Sequence, residues 1–296
     1  MKTESRNQNA RNLHEKNTGE ILRIINNEDR TVAGAVEKAL PDIELAVEEF
    51  VDSYRRGGRI FYAGAGTSGR LGVLDAAEIP PTFGVPEGRV VGEIAGGKEA
   101  ITSAKEGYED DREAGKTRAE ENDIGKKDFV LGISASGRTP FVLGFLEASG
   151  KAGAGTATIT NNSGAPVEAV SEISIVAETG PEVIAGSTRM KAGTAQKMIL
   201  NMLSTAAMIR LGKVFDNLMV DVVASNEKLK ERAKNILEEL TEAEKDEIDE
   251  ILRETGYEVK PAILALKGDL TVAEARKSLE AHDGHLELAL TEVDSS

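Results

Sequence analysis

Five short apolar runs, Arg59–Ala63, Val90–Ile94, Phe129–Ile133, Thr156–Thr160 and Ile173–Ala177, alternate with helical or small-residue segments through the middle of the chain. Runs of about five residues rich in Val, Ile and Phe have strand length, and helix-length stretches separate them. That alternation is the signature of an α/β fold, a parallel five-stranded sheet flanked by helices on both faces. Connections from strand to helix in such a sheet gather at the carboxyl ends of the strands, so the chemistry is sought there.

The flanking regions are helical in pattern. Residues 17–27 carry Ile21, Leu22, Ile24 and Ile25 at helical spacing, and residues 31–56 carry Val32, Val36, Leu40, Ile43, Val47 and Val51. Gly57 and Gly58 stop the second helix, and a long helix over roughly Met190 to Leu211 closes the sheet region. Beyond Asp221 the character changes. Residues 225–255 are charge-rich with a helical period, and residues 258–290 read as three short helices punctuated by Gly268-Asp269 and Asp283-Gly284. Leu264, Leu266, Leu270, Ala273, Leu279 and Leu286 are expected to form a small core of their own. The layout is therefore an N-terminal helical segment (1–56), a sheet domain (57–222) and a C-terminal helical region (223–296).

Composition narrows the function. The 40% hydrophobic fraction supports a core, which must be aliphatic because aromatics make up 4% and Trp is absent. With no cysteine, disulfides, thiolate metal sites and a cysteine nucleophile are excluded. A net charge of −15 argues against nucleic-acid binding, which calls for a basic face. The start is polar and lacks the apolar stretch of a signal peptide, and no run reaches 18 apolar residues, so a soluble cytoplasmic protein without membrane contact is expected.

Three junctions before helices carry hydroxyls and glycine. The first strand runs into Gly64-Ala65-Gly66-Thr67-Ser68-Gly69, a literal G-x-G-x-x-G, and Glu93 even stands where a ribose-binding acid is sought. The third strand ends in Ser134-Ala135-Ser136-Gly137-Arg138-Thr139, and Gly186-Ser187-Thr188-Arg189-Met190-Lys191 opens the long helix. A dinucleotide site uses one such loop and keeps it free of side chains. A phosphomonoester has terminal oxygens for several donors, and helix N-termini with hydroxyls suit it. Thr67, Ser68, Ser134, Ser136, Thr139, Ser187 and Thr188 are thus candidate ligands of a sugar phosphate. Ser and Thr are also ordinary helix caps, which is the plain alternative for each loop taken singly. Arg70, Arg138, Arg189 and Lys191, in or beside these loops, are candidates to offset the anion; the plain alternative is pairing with the protein's own acids.

Taken together, GAGTSGRLGVLDAAEIPPTFG (64–84), ISASGRTPFVLG (133–144) and TGPEVIAGSTRMKAGTAQKMILN (179–201) resemble the N-acetylmuramic acid 6-phosphate etherases. The likeness extends to NNEDRTV (26–32) and to 259–290, which is similar to the family's small three-helix, UBA-like end. Ile79 stands where members of that family often carry Cys or another small residue. The resemblance implies an SIS (sugar isomerase) fold and a carbon–oxygen lyase. Its members release D-lactate from the C3 ether of N-acetylmuramic acid 6-phosphate by elimination and water addition, leaving N-acetylglucosamine 6-phosphate, with neither metal nor other cofactor. It further implies Glu78, within DAAEIPP, as proton donor and Glu109, within GYEDD, as the second catalytic carboxylate, the base. A homodimer is implied as well.

The chemistry asks for such a pair. In the open-chain sugar the C1 aldehyde acidifies the C2 proton and the C3 oxygen lies β to the carbonyl, so one base and one acid suffice. Glu78 is expected to end a helical run stopped by Pro80-Pro81, and the negative end of a helix would favour its protonated form. Each glutamate could instead be a solvated surface charge among the chain's 51 acids. His14, His282 and His285 all lie outside the sheet region, so neither a metal site nor a ring-opening histidine is expected there. The rival readings are an aldose–ketose isomerase on the same fold, a non-catalytic sugar-phosphate sensor and a dinucleotide binder.

Overall fold

The computed structural model describes residues 1–103, 107–221, 224 and 226–294. They form two compact units, one of Met1–Ala77 with Gly88–Ser204, the other of Glu78–Glu87 with Thr205–Ser296.

In the first unit, three single-turn segments over the first fifteen residues precede α1 (Thr18–Asp29), α2 (Val32–Glu37) and α3 (Leu40–Arg55). Asn17 and Glu20 close a reciprocal capping box at the start of α1. The expected single helix over 31–56 is two, because Pro41 lacks an N–H and sits in the first turn of α3. The sheet follows with β1 (Ile60–Gly64), α4 (Gly66–Phe83), β2 (Val90–Ile94), α5 (Glu99–Thr102), α6 (Arg112–Glu121) and β3 (Phe129–Ile133). Then come α7 (Pro140–Lys151), β4 (Gly155–Thr160), β5 (Ile173–Val176) and α8 (Lys191–Arg210). All five predicted strands are present within a residue at each end.

The strands are parallel in the order β2-β1-β3-β4-β5. Every residue of β1 and β3 is buried, as two covered faces require. Phe61, Phe129, Phe145, Leu131, Leu146, Ile133 and Ile159 are fully buried. At about 1.5–3 kcal/mol each they contribute roughly 10–20 kcal/mol, against which stands the entropy of ordering the chain. From β1 the chain crosses to β2 on one side, and from β3 to β4 on the other. The order thus reverses between β1 and β3, and the loops leaving their carboxyl ends part to open a crevice.

The second unit holds a short hairpin, β6 (Val214–Phe215) with β7 (Leu218–Met219), and then α9 (Glu227–Leu240), α10 (Lys245–Glu254), α11 (Val259–Gly268), α12 (Val272–Ala281) and α13 (Leu286–Asp294). Its core gathers Ile236, Leu237, Ile248, Leu252, Ile263, Leu264, Leu279, Leu286 and Leu290. Leu266 and Leu270 pack against it half-buried, whereas Ala273 faces solvent and Ala275 takes the inner position. The expected boundary at 222/223 lies outside the described residues.

The expected stop at Pro80-Pro81 is corrected as well. Pro80 and Pro81 do not stop α4, which runs on to Phe83 and closes with the Gly84 N–H donating to the Pro80 carbonyl at 3.0 Å. Without N–H groups, the two prolines forgo the ladder bonds to the carbonyls of Ala76 and Ala77, yet the helix continues past them.

Candidate active site

The first hydroxyl loop depends on two glycines. A Cβ on Gly64 would lie 2.7 Å from the Gly69 nitrogen, so the end of β1 and the first turn of α4 touch backbone to backbone. Gly64 and Gly69 are what permit this close turn. Thr67 stands beside Gly193 of α8, 3.5 Å from where a Cβ there would sit. Ser68 is 8% exposed and its Oγ donates to Gln196 Oε1 at 2.9 Å. Glu93 is not poised for a ribose: its carboxylate accepts from Arg118 Nε at 2.7 Å and Asn122 Nδ2 at 3.0 Å, which ties α6 to β2.

The second loop is a hydroxyl cluster. Ser134 Oγ lies 2.8 Å from Thr139 Oγ1 and 3.4 Å from Ser136 Oγ, and accepts the Gly137 N–H at 3.0 Å. Ser136 Oγ accepts the Arg138 N–H at 3.2 Å. Gly137 has φ +65°, and a Cβ there would reach 2.8 Å from Thr160 Oγ1, so only glycine fits the turn. Thr139 makes no side-chain cap on α7, and Pro140 at its first position has no N–H to satisfy. The positive end of α7 therefore meets a set of rotatable hydroxyls.

The third loop behaves differently. Ser187 and Thr188 are half-buried and Arg189 is exposed, as is Arg138 of the second loop. Lys191, however, turns inward: its Nζ meets Glu28 Oε2 at 2.7 Å with 3% of the side chain exposed. The N–H groups of Lys191 and Ala192 donate to the buried Glu182 carboxylate at 2.9 and 3.0 Å. The amino end of α8 is thus already capped by an internal anion, and Lys191 braces the loop from beneath. Arg70 is likewise engaged, with Nε and Nη2 on the carbonyls of Ile101 and Ser103 at 3.0 and 3.1 Å.

Glu78 is exposed on α4, within the unit that contains Glu78–Glu87. Because α4 continues to Phe83, Glu78 is not at its last turn, and the end-of-helix argument for its protonation does not apply. Glu109 is exposed in a single turn, Tyr108–Asp110, of the other unit. Asp111 follows and caps α6 by accepting the Ala114 N–H at 2.9 Å.

Three features escaped the sequence reading. Residues near position 1 reach the second loop: the Lys2 N–H donates to Asn162 Oδ1 at 2.8 Å, and Asn162 Nδ2 donates to Thr3 Oγ1 and the Ala135 carbonyl, both at 2.9 Å. Lys2, Ser5, Ser136, Arg138, Asn162 and Glu178 share the lining of a cleft of about 350 Å³. Glu28 is a hub that accepts from Lys191, Asn7 and Asn9; nothing in helical periodicity distinguishes it from a surface acid. Asp75 is 5% exposed on α4; burial holds its carboxyl above the usual range, against the opposing charge of Lys197 at 3.6 Å and a hydrogen bond from Ser204. The only hint in the sequence is an acid inside an apolar run. Among the described residues, no group of three His, Cys, Asp or Glu is placed to hold a metal ion, and no helix is long and apolar enough to cross a membrane.

The family model of the glucokinase regulatory protein N-terminal SIS domain matches residues 42–150. An Escherichia coli protein of solved structure superposes with a TM-score of 0.50 at 16% identity, covering 68% of this chain and 97% of that one; it supports the fold alone. N-acetylmuramic acid 6-phosphate etherase 1 of Bacillus licheniformis is 49% identical over 296 residues, 100% of this chain and 97% of its own. The N-acetylmuramic acid 6-phosphate etherase of Caldanaerobacter subterraneus is 50% identical over 288 residues, 97% of this chain and 94% of its own. With half of its residues shared along its full length, the chain belongs to the N-acetylmuramic acid 6-phosphate etherase family.

Proposed function

We propose that this chain binds N-acetylmuramic acid 6-phosphate at the β1/β3 crevice and removes its lactyl group as D-lactate, leaving N-acetylglucosamine 6-phosphate. The observation that carries the reading is full-length identity of about half to proteins named for this activity. The second loop supports it physically. Its clustered Ser134, Ser136 and Thr139 hydroxyls at the positive end of α7, with Arg138 alongside, suit a phosphoryl group in a protein whose net charge would otherwise repel it. Thr67 and Ser68 of the first loop, and Ser187, Thr188 and Arg189 of the third, face the rest of the substrate. Lys191 serves by holding the third loop to Glu28.

The reaction follows from the open-chain aldehyde. Glu109 takes the C2 proton, and that electron pair becomes the C2–C3 double bond. The C3–O bond breaks, its electrons pass to the lactyl oxygen, and Glu78 protonates that oxygen so that D-lactate leaves. Glu78, now a carboxylate, removes a proton from water as the water oxygen bonds to C3. Glu109 returns its proton to C2, and both acids regain their starting states. We further propose that the enzyme works in the cytoplasm as a homodimer, with functional parts at 1–56, 57–222 and 223–296.

Glu78→Gln tests the assignment. The variant should bind substrate while releasing D-lactate at least ~10²-fold more slowly, the scale on which a general acid contributes. Wild-type turnover in Glu78→Gln would refute the donor role. Failure of the wild-type protein to release D-lactate would refute the activity.

A further inference from the structure

A buried chain of amides runs behind the first loop. Asn161, at the end of β4, is fully buried, and its Nδ2 donates to the Ala177 carbonyl at 2.9 Å. A carbonyl can only accept, so the amide orientation of Asn161 is fixed and its Oδ1 must face Gln196. Gln196, 1% exposed on α8, therefore presents Nε2 to Asn161 at 3.1 Å, and its Oε1 is left facing Ser68. The Ser68 hydroxyl must then donate inward, at 2.9 Å. Each step forces the next, from a backbone carbonyl to a side chain of the proposed site.

We infer that Gln196 is a positioning residue that pins the only proton of Ser68 inward, so that Ser68 meets the substrate as a hydrogen-bond acceptor and reads a donor on the sugar, not its phosphoryl group. A phosphate oxygen placed against the Ser68 lone pairs is repelled, whereas a sugar hydroxyl or the acetamido N–H is matched. The second loop has the opposite polarity. Its three hydroxyl protons are shared among three oxygens with at most two internal bonds, so at least one proton stays available for an anion. The two loops on either side of the crevice thereby orient a phosphorylated sugar end to end. This inference rests on the site proposed above.

Calorimetric titration with two probes, inorganic phosphate and N-acetylglucosamine 6-phosphate, tests it on the full chain. Gln196→Met keeps the side-chain length but offers no oxygen to Ser68. It should weaken the sugar phosphate by about three- to tenfold, the worth of one neutral hydrogen bond, and leave inorganic phosphate unchanged. Ser68→Ala should do the same, and the double variant should be no weaker than Ser68→Ala, because Gln196 acts through Ser68. Glucose 6-phosphate identifies the donor: a penalty with both sugars means a hydroxyl, a penalty with the acetamido sugar alone means the amide, and either upholds the inference. Equal weakening of inorganic phosphate by Gln196→Met would overturn it, as would a full further loss when Gln196→Met is added to Ser68→Ala. If Gln196→Met does not fold, Ser68→Ala decides by the same comparison of probes. A wild-type protein that binds neither sugar phosphate would instead remove the proposed site itself.

Discussion

Glu28→Gln should destabilise the sheet unit by about 3 kcal/mol, at the low end of what breaking a buried ion pair costs. Glu28 Oε2 accepts from Lys191 Nζ and Asn7 Nδ2, both at 2.7 Å, and Oε1 accepts from Asn9 Nδ2 at 2.8 Å. Only 3% of the Lys191 side chain and 10% of that of Glu28 are exposed, so solvent screens the pair little. Glutamine keeps one acceptor oxygen, which can serve Lys191 and Asn7, but it turns an N–H₂ toward Asn9 and leaves the buried ammonium without a counter-charge. For a unit of this size, about 3 kcal/mol corresponds to a fall of roughly 6–12 °C in Tm. With no Trp in the chain, circular dichroism in urea and on heating is the appropriate signal. The pH dependence gives an independent check. Burial pushes the Glu28 carboxyl up, but hydrogen bonds from Lys191, Asn9 and Asn7 and the charge of Lys191 outweigh it, so the net shift is downward. A lowered folded pKa means that the stabilisation is complete above the ordinary carboxylate range and lost as pH falls through the folded value. The gap between wild type and Glu28→Gln should therefore be constant near neutrality and close in acid. Adding Lys191→Met to Glu28→Gln should recover part of the loss, since the stranded charge goes with it. A cost under about 1 kcal/mol, or a gap as wide in acid as at neutral pH, would refute the view of Glu28 as a charged hub.

Gly137→Ala should weaken inorganic phosphate binding measured by calorimetry and cost about 1–3 kcal/mol, because its left-handed φ and nearness to Thr160 leave no space for a methyl group. Leu264→Ala, in the core of the second unit, should cost about 2–5 kcal/mol, seen as faster amide exchange in α9 and α11. Asp111→Ala removes the cap of α6 beside Glu109 and should cost about 1 kcal/mol, with loss of protection at the Ala114 amide.

The sheet was legible because buried parallel strands leave an unmixed apolar record: Val90–Ile94 and Phe129–Ile133 coincide with β2 and β3 to the residue. The hydroxyl loops were legible for a related reason, since Gly beside Ser or Thr after a strand marks a tight turn into a helix. The roles of individual loop residues were not. Lys191 and Arg189 are two positions apart and both cationic, yet one is buried on Glu28 and the other faces water. That difference is set by Glu28, far away in the sequence and indistinguishable there from any helix-surface acid. Pro80-Pro81 misled for a local reason: a helix interrupted by two missing donors can still continue when its next turn closes, as Gly84 does on Pro80.

The contacts of Lys2 and Thr3 with Asn162 span about 160 residues of chain, and those of Asn7 with Pro181 somewhat more. At ~5–20 residues per second on a ribosome, Lys2 and Thr3 wait on the order of ten to thirty seconds before their anchors have even been made. Throughout that interval Thr3 has no Asn162 to hold it, and the cleft that Asn162 shares with Ser136 and Arg138 cannot form. A stretch translated early is thus among the last to find its place, and the cleft is finished only when older chain closes over newer.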